Sequence, residues 1–414
     1  MLDLPSCLGE RARAPHENGA VRPVPGEGAV TQPFGEEHEM FRRSVRSFVE
    51  REVTPNVAAW EADGQVPRRF FEQLAELGFL GLRLSEEYGG AGLDFWYTVV
   101  LIQELMRCGS IGVTVSVMAH AEFATGVVDR AGSPELRETF VRPAAAGRLI
   151  GALGVTEPDA GSDVAAIRTR AVRDGDHYVI NGSKTFISNG TTADFVTTAV
   201  RTGGKGRGGI SLIVVPTDAP GFSVDRRLVK LGTHASDTAQ IAYQDCRVPV
   251  TNLVGPENGG FGLILQGFEG ERLVIAVIAI SQMRLMWEEA RRYGHERVAF
   301  GHPLLGFQVW RHRLADVLTA IEAAEALTYR AIDLYVRGRP CNAEISMAKL
   351  FATETAVDVG RQCVQIFGGM GYMEECLMAR LYRDSLAFPV GAGTSEMMRE
   401  IISRSSGLES QVSQ

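Results

Sequence analysis

The chain has 414 residues, of which 45% are hydrophobic and 22% are charged. This composition is typical of an ordinary globular protein, and the length predicts two or three domains. The net charge of −8 argues against nucleic acid or an anionic membrane surface as the main partner. No apolar run is long enough to span a bilayer, so we expect no membrane insertion.

The first 34 residues are rich in proline, glycine and arginine and predict a disordered leader over residues 1–34. Their acidic residues, Glu10, Glu17 and Glu27, disfavour an organelle transit peptide. The six cysteines form no C-x-x-C pair, and the eight histidines lack metal-binding spacing. We therefore expect reduced thiols, no metal site and a cytoplasmic location, the mitochondrial matrix being the less favoured alternative.

The first ordered segment, residues 35–148, is predicted to be an all-helical domain. Apolar residues recur at three- and four-residue steps from Phe41 to Val53, and Pro55 ends that run. Further helical patterns cover about 94–107, 112–130 and 134–146.

The next segment, residues 149–257, has the pattern of a small β domain. Short β-type runs alternate with turn signals, among which we count the dipeptides Asn181-Gly182 and Asn189-Gly190. The segment Gly204–Gly209 matches a dinucleotide-binding expression by letters, but it opens no helix and is predicted to be a hairpin loop. We expect a β-barrel or a β-sandwich here.

The third segment, residues 258–408, returns to helical patterns and precedes a short tail over 409–414. A helix is predicted from Phe261 to Arg292, followed by helices over about 306–336, 342–367, 374–386 and 394–406. This segregation of helices and strands predicts an α+β multidomain protein and argues against a doubly wound sheet.

One stretch, Leu153–Asp163, combines an apolar strand with a polar turn broken by Pro158 and Gly161. Its hydroxyls and exposed backbone N–H groups suit a ligand with carbonyls, ring nitrogens or phosphate. A simple polar turn after a strand is the alternative.

Five local patterns then fall in one order along the chain: Val155–Asp163 (VTEPDAGSD), Phe186–Gly190 (FISNG), Arg297–Gly301 (RVAFG), Gln365–Tyr372 (QIFGGMGY) and Gly391–Glu396 (GAGTSE). With these patterns on an α–β–α plan, the chain resembles the acyl-CoA dehydrogenase family over about 35–408. The resemblance implies a helical N-terminal domain, a central β domain, a C-terminal four-helix bundle, non-covalent FAD and a homotetramer. It also implies an acyl-CoA substrate and an electron-transferring flavoprotein as the oxidant.

The resemblance also assigns roles to residues at the matching positions. The residues implied to line the flavin ring are Val155, Thr156, Gly161, Ser162, Phe186, Ile187 and Ser188, with Ser162 also reaching the substrate. The residues implied to hold the diphosphate and adenosine, partly from a neighbouring subunit, are Arg297, Phe300, Gln308, Gln365, Gly368 and Gly369, completed by Thr394 and Glu396.

The catalytic base is implied to be Glu271. Many relatives carry a glutamate before the Gly-Thr motif, but this chain has Ala392 there. The isovaleryl-CoA and long-chain members carry the base on the long helix in a Glu-Arg-Leu context, which this chain has from Glu271 to Leu273. Glu271 also opens an apolar run, where burial would raise its pKa. The alternative is that Glu269 and Glu271 are solvated residues near a helix start.

The substrate contacts implied are Ser162, Arg272, which would order the site, and the backbone at Ala392 and Gly393, which would face the thioester oxygen. The predicted activity is FAD-dependent α,β-dehydrogenation of an acyl thioester. An oxygen-using flavoenzyme of the same fold, an acyl-carrier-protein-linked dehydrogenase and a non-catalytic scaffold are the alternatives. The sequence does not specify the length or branching of the acyl group.

Overall fold

A sheet lies between two helical regions in the computed structural model, which describes residues 33–408. The predictions for the leader before residue 33 and for the tail after residue 408 lie outside the described residues. The order of helical, β and helical regions that the sequence predicts is confirmed.

The N-terminal region is helical and contains π-helical turns within its longer runs. The predicted helix over 112–130 is one continuous run in which a π turn, Ala119–Thr125, separates two α-helices. The side chain of Ser110 accepts a hydrogen bond from the backbone N–H of Val113 and caps this run. The helices are α1 Glu36–Phe48, α2 Val57–Asp63, α3 Arg68–Glu76, α4 Phe95–Met106, α5 Ile111–Met118, α6 Gly126–Ala131, α7 Pro134–Leu136 and α8 Arg142–Ala145.

One helical stretch in this region, Ile111–Ala131, is long and apolar enough to cross a membrane by length and composition alone. Most of it is buried inside the protein, where it packs as a core element of the fold.

The central region contains an eight-stranded sheet with the order β6-β7-β3-β2-β4-β5-β8, and β1 also pairs with β4. The strands are β1 Gly151–Gly154, β2 Arg170–Asp174, β3 His177–Ser188, β4 Phe195–Arg201, β5 Ile210–Pro216, β6 Phe222–Arg227, β7 Thr238–Pro249 and β8 Leu253–Val254. A two-residue hairpin pair, β9 Val298–Ala299 and β10 His302–Pro303, lies between helices of the C-terminal region. Because the end strands β6 and β8 do not pair with each other, the sheet is open, and the closed barrel, one of the two predicted alternatives, is wrong.

The turn prediction at Asn181-Gly182 is also wrong. These residues lie inside β3, which runs unbroken through them with a register shift against β7 between Ile180 and Gly182. Between these pairs β7 advances three residues while β3 advances two, so a β-bulge in the partner strand β7 lies where a hairpin was expected. The loop Gly204–Gly209 does join β4 to β5, as expected.

Three long helices and two shorter ones form the described C-terminal region. They are α9 Gly260–Glu296, α10 Gln308–Val336, α11 Asn342–Phe367, α12 Leu377–Ser385 and α13 Ser395–Ser405. Both short helices pack against α11 and complete the bundle, and they lie within the two short helical segments that the sequence predicts over about 374–386 and 394–406. The helix α9 also contacts α4 and the sheet, and it thereby places its first turns where all three regions meet.

Candidate active site

Glu271 lies in the first third of α9 and is almost completely buried, with 8% of the residue exposed. Burial raises the pKa of Glu271 to about 7, and the nearby positive charges of Arg272 and Arg130 lower it only in part. A carboxyl group with this pKa can both take up and release a proton near neutral pH.

A glycine one turn before Glu271 leaves space beside the carboxylate. A methyl group at Gly267 would lie 4.0 Å from Oε1 of Glu271 and 3.9 Å from Nη2 of Arg130. The Arg130 guanidinium, carried by α6, therefore faces the same side of α9 as the carboxylate. Sequence reasoning missed Arg130, because no local pattern links α6 to α9.

Arg272, the neighbour of Glu271, holds the start of α11. Its Nη1 donates a hydrogen bond to Oδ1 of Asn342 at 3.0 Å. Its Nε is buried and has no hydrogen-bond partner among residues 33–408. An unpaired, buried N–H group is a position where an oxygen atom of a ligand would be stabilised.

A loop with two consecutive left-handed residues lies beside this arginine. Ala392 has a φ of 53° and Gly393 a φ of 95°, and their N–H groups find no acceptor in the described part of the chain. The buried Nζ of Lys349 donates to the carbonyl oxygen of Gly393 at 2.6 Å and fixes the loop. Burial and, to a lesser extent, the positive charge of Arg272 lower the pKa of Lys349 to about 8, which indicates that the loop lies close to that arginine. Two unused N–H donors in a fixed loop suit a developing oxyanion.

The turn after β1 is held by a buried ion pair. Nζ of Lys184 donates to Oε1 of Glu157 at 2.8 Å and to the carbonyl oxygen of Val155 at 3.0 Å. The carboxylate of Glu157 also accepts the backbone N–H groups of Arg168 and Thr169. Burial alone would raise the pKa of Glu157, but the ammonium of Lys184 and these N–H groups keep it below its usual value. Glu157 is therefore a structural anion in this site.

Phe186 lies next to this turn in an unusual conformation. The N–H of Thr185 donates to the carbonyl oxygen of Thr156 at 2.9 Å and joins β3 to the turn. Phe186 then has a φ of 60° and a 70% exposed side chain, at a register shift between Lys184 and Ile187. An exposed aromatic ring held at positive φ is strained, and such strain clusters at ligand sites.

A second group of predicted residues lies at the far end of the bundle. The rings of Tyr293 and Phe367 stack at 4.3 Å and join the end of α9 to the end of α11. Since a helix rises about 1.5 Å per residue, Arg297 lies roughly 39 Å along α9 from Glu271. The predicted residues at this end are all exposed: Arg297, Phe300, Gln308, Gln365, Gly368 and Gly369.

The structure therefore divides the predicted site into two groups within one chain. One group contains Val155, Thr156, Gly161, Ser162, Phe186, Ile187 and Ser188 on the sheet side, and Glu271, Arg272, Ala392 and Gly393 on the helical side. The two sides are linked by Phe268, three residues before Glu271, which packs against the apolar cluster that contains Val155. Thr394 caps α13 by accepting the N–H of Met397, and Glu396 is exposed on the same helix. Both adjoin the loop of Ala392, so a single chain does not bring them to the Arg297 end.

A sheet between two helical regions, with a buried carboxyl group where the three regions meet, is compatible with a flavin-dependent enzyme. Comparison with known proteins gives the family. The description of the acyl-CoA dehydrogenase N-terminal domain matches residues 35–148, that of the middle domain residues 152–246 and that of the C-terminal domain residues 258–407. The chain belongs to the acyl-CoA dehydrogenase family.

Similar proteins include members specific for long and for short acyl chains. The long-chain specific mitochondrial enzyme of Sus scrofa is 38% identical over 91% of this chain and 87% of its own length. The short-chain specific enzyme of Clostridium acetobutylicum is 39% identical over 89% of this chain and 97% of its own length. A crystal structure of a probable acyl-CoA dehydrogenase from Mycobacterium abscessus has a TM-score of 0.88 and 45% identity, covering 90% of this chain and 99% of that one.

Members of this family carry FAD, and the residues present here fit that cofactor. At the sheet end, Phe186 offers an exposed aromatic surface beside the backbone of Val155 and Thr156. At the far end of the bundle, a methyl group at Gly368 or Gly369 would meet no atom within 4 Å, so backbone is open to close approach there. The enzyme is an FAD-dependent oxidoreductase that acts on acyl-CoA.

The strain at Phe186 leads to a prediction that separates folding from cofactor binding. We expect Phe186→Gly to keep or raise the stability of the apoprotein by about 1 kcal/mol, because glycine adopts positive φ without strain. The same substitution should weaken FAD retention, because it removes the aromatic surface. Chemical unfolding of the apoprotein and the flavin-to-protein ratio after gel filtration measure the two effects. Loss of apoprotein stability with unchanged flavin content would contradict the prediction.

Proposed function

We propose that Glu271 is the general base of α,β-dehydrogenation of an acyl-CoA to the trans-2-enoyl-CoA. The observation that carries this proposal is a buried carboxyl group with a pKa of about 7, which the nearby charges of Arg272 and Arg130 lower only in part. The nearest alternative carboxylate, that of Glu269, is only half-buried.

The reaction breaks two C–H bonds and forms one C=C bond. FAD, when bound, supplies the acceptor for the hydride that leaves the β-carbon. Glu271 takes the proton from the α-carbon and becomes the neutral acid, which its buried surroundings favour. The free N–H groups of Ala392 and Gly393 stabilise the negative charge that develops on the thioester oxygen. Arg272 orders the substrate, because its buried Nε has no partner among residues 33–408 and can donate to a ligand oxygen.

The pKa of Glu271 leads to a specific pH dependence. Because only the carboxylate accepts a proton, we expect kcat/KM to be low at acidic pH and to rise through a midpoint of about 7. Steady-state rates in constant-ionic-strength buffers from about pH 5.5 to 8.5 measure this profile. A profile that is flat across pH 7, for a substrate with rate-limiting chemistry, would be incompatible with Glu271 as the base.

Anaerobic mixing tests the function itself. A dehydrogenase should bleach its flavin with acyl-CoA in the absence of oxygen and reoxidise slowly when air is admitted. Rapid formation of hydrogen peroxide or oxygenation of the substrate would instead indicate the oxygen-using alternative. An acyl-carrier-protein thioester is compared with the acyl-CoA in the same experiment. Faster flavin reduction by the carrier-protein thioester would favour the carrier-protein-linked alternative.

We also propose that the site is completed by a second copy of the chain in a homotetramer. The residues predicted to hold the diphosphate lie roughly 39 Å along α9 from Glu271, too far to share one flavin site within a chain. That end of the bundle also exposes large apolar side chains, including Phe300 at 93% and Tyr372 at 85%, which a second copy would cover. A monomeric, FAD-loaded and active enzyme in solution would contradict this part of the proposal.

The oxidant and the location are the remaining parts of the proposal. An electron-transferring flavoprotein is the proposed acceptor of electrons from the reduced enzyme. Relatives of both bacterial and mitochondrial origin match the chain, and we propose a cytoplasmic location.

A further inference from the structure

A cavity of about 50 Å³ beside the candidate base is lined by four charged residues together with Leu80, Leu84, Ala121 and Gly126. Arg130, which faces Glu271 across Gly267, is one of its lining residues. The others that matter here are Arg83 from the loop before α4, Glu122 from the π turn Ala119–Thr125, and Asp129 from α6. In a site for plain alkyl chains, apolar side chains would be expected at these positions.

Arg83 and Glu122 form a fixed ion pair. Nη1 of Arg83 donates to Oε2 of Glu122 at 2.7 Å, and the hydroxyl of Thr98 donates to the other carboxylate oxygen at 2.9 Å. Nη2 of Arg83 donates to the hydroxyl oxygen of Tyr335 at 3.2 Å. The guanidinium also lies 5.0 Å from the ring centre of Phe95. The pair is therefore held from α4, α10 and the π turn at once.

The pair lies close to the start of α9, where Glu271 is found. A methyl group at Gly270, the residue before Glu271, would lie 3.4 Å from the hydroxyl oxygen of Tyr335. Tyr335 thus connects Arg83 to the backbone beside the base. An acyl chain whose α-carbon faces Glu271 and whose far end enters this cavity would meet the Arg83–Glu122 pair.

Hydrogen-bonding capacity in this cavity is left unused. An arginine side chain has five N–H groups, and Arg83 gives two hydrogen bonds to partners in the described residues. Oδ2 of Asp129 accepts from Ser85, whereas Oδ1 of Asp129 is buried with no partner among residues 33–408. The remaining donors and this acceptor match a group that both accepts and donates a hydrogen bond.

The charges in the cavity select among polar groups. Two cations, Arg83 and Arg130, face two anions, Glu122 and Asp129, so the lining charges cancel. A neutral hydroxyl therefore fits better than a carboxylate, which would lie beside two anions, and better than a methyl group, which would leave the polar groups unpaired.

We propose that Arg83 and Glu122 are specificity-determining residues that select an acyl-CoA whose acyl chain carries a hydroxyl group at its far end. This inference rests on the proposed dehydrogenation and narrows its substrate class. A buried polar group that is left without a partner typically lowers the efficiency of a reaction by about tenfold to hundredfold. We expect this ratio between the efficiencies of flavin reduction by a hydroxyl-ended and a methyl-ended acyl-CoA.

The test uses the FAD-loaded enzyme under anaerobic conditions and matched pairs of thioesters. The ω-hydroxybutanoyl, ω-hydroxypentanoyl and ω-hydroxyhexanoyl thioesters of CoA are compared with the pentanoyl, hexanoyl and heptanoyl thioesters, in which a methyl group replaces the hydroxyl. We expect the hydroxyl member of the best pair to reduce the flavin about tenfold to hundredfold more efficiently. The double variant Arg83→Leu/Glu122→Leu should reverse this preference, because the cavity becomes apolar.

A second variant keeps the inference testable if the double variant does not fold. Glu122→Gln retains an oxygen for Thr98 but leaves the charge of Arg83 uncompensated, so we expect about a tenfold gain with an ω-carboxyacyl-CoA. The exposed pair Arg69 and Glu76 on α3, changed to glutamine together, is the control and should leave every preference unchanged.

The outcomes separate this inference from the proposed function. Reduction by the alkyl member as fast as by the hydroxyl member in every pair would overturn the inference and leave the dehydrogenation standing. A wild-type enzyme that no thioester reduces would contradict the proposed function, and this inference with it.

Discussion

Glu271→Gln should lower kcat for dehydrogenation by about a hundredfold to ten-thousandfold, the usual contribution of a positioned general base. Glutamine has nearly the same shape as glutamate but accepts no proton, so substrate binding should change little. Rapid mixing with acyl-CoA under anaerobic conditions measures the rate of flavin reduction. Titration with the enoyl-CoA product measures binding separately.

Glu269→Gln is the matched control for this substitution. Glu269 lies on the same turn of α9, and burial raises its pKa as well, although the residue is only half-buried. We expect its replacement to leave flavin reduction within about threefold of the wild type, since it removes no proton acceptor from the site. Equal losses in the two variants would assign the effect to the helix and not to a base.

The Glu271→Gln protein should also be more stable above neutral pH. The folded state raises the pKa of Glu271 from 4.5 to about 7, so it binds the proton more tightly than the unfolded chain does. The free energy of unfolding of the wild-type protein therefore falls as the pH rises from 4.5 to about 7, by up to about 3 kcal/mol. Glutamine carries no such cost, and unfolding experiments at pH 8 and pH 5 should show a difference at the higher pH only. A less stable variant at pH 8 would contradict the buried position of the carboxylate.

Lys184→Met should destabilise the protein by about 3–5 kcal/mol, because it leaves the carboxylate of Glu157 buried without its cation. The ammonium of Lys184 is fully buried and also holds the carbonyl oxygen of Val155. We therefore expect loss of FAD as well as loss of stability. Chemical unfolding at fixed protein concentration and the flavin content of the purified protein measure these two effects.

The double variant Lys184→Met/Glu157→Gln distinguishes this explanation from a simple packing defect. Removing the charge of Glu157 removes the unpaired anion, while the glutamine oxygen can still accept a backbone N–H. The double variant should recover at least half of the lost stability, because the two effects are coupled. The single variant Glu157→Gln completes the comparison. If the stability lost in the double variant equals the sum of the losses in the two single variants, the ion pair is not the source of the stability.

The order of the three regions was predictable because hydrophobic periodicity is local. The repeat of three to four residues identifies α9, α10 and α11, and short apolar, β-branched runs between turn signals identify β4 and β5. Whether the sheet closes was not predictable, because closure depends on hydrogen bonding between the edge strands β6 and β8, which are far apart in the sequence. At Asn181-Gly182 the local turn preference was overridden by pairing of β3 with β7 on both sides of the bulge.

The Glu-Arg-Leu context made Glu271 the candidate base, whereas the residues around its carboxylate were not predictable. Lys349 and Arg130 act through contacts between elements far apart in the chain, which no local motif encodes. Lys184 did leave a signal. Along β3 it shares the parity of Tyr178 and Ile180, which point into the core, so a lysine at that position needs a buried partner.

The most direct test of Glu271 as the base is exchange of the α-hydrogen with solvent deuterium, measured by mass spectrometry of a bound β-thia-acyl-CoA. Sulfur replaces the β-carbon in this analogue, so no hydride can leave, and exchange reports proton removal alone. We predict that the FAD-loaded wild-type enzyme and Glu269→Gln exchange the α-hydrogen, and that Glu271→Gln does so about a hundredfold more slowly or not at all. Exchange by Glu271→Gln at the wild-type rate would show that another group removes the proton.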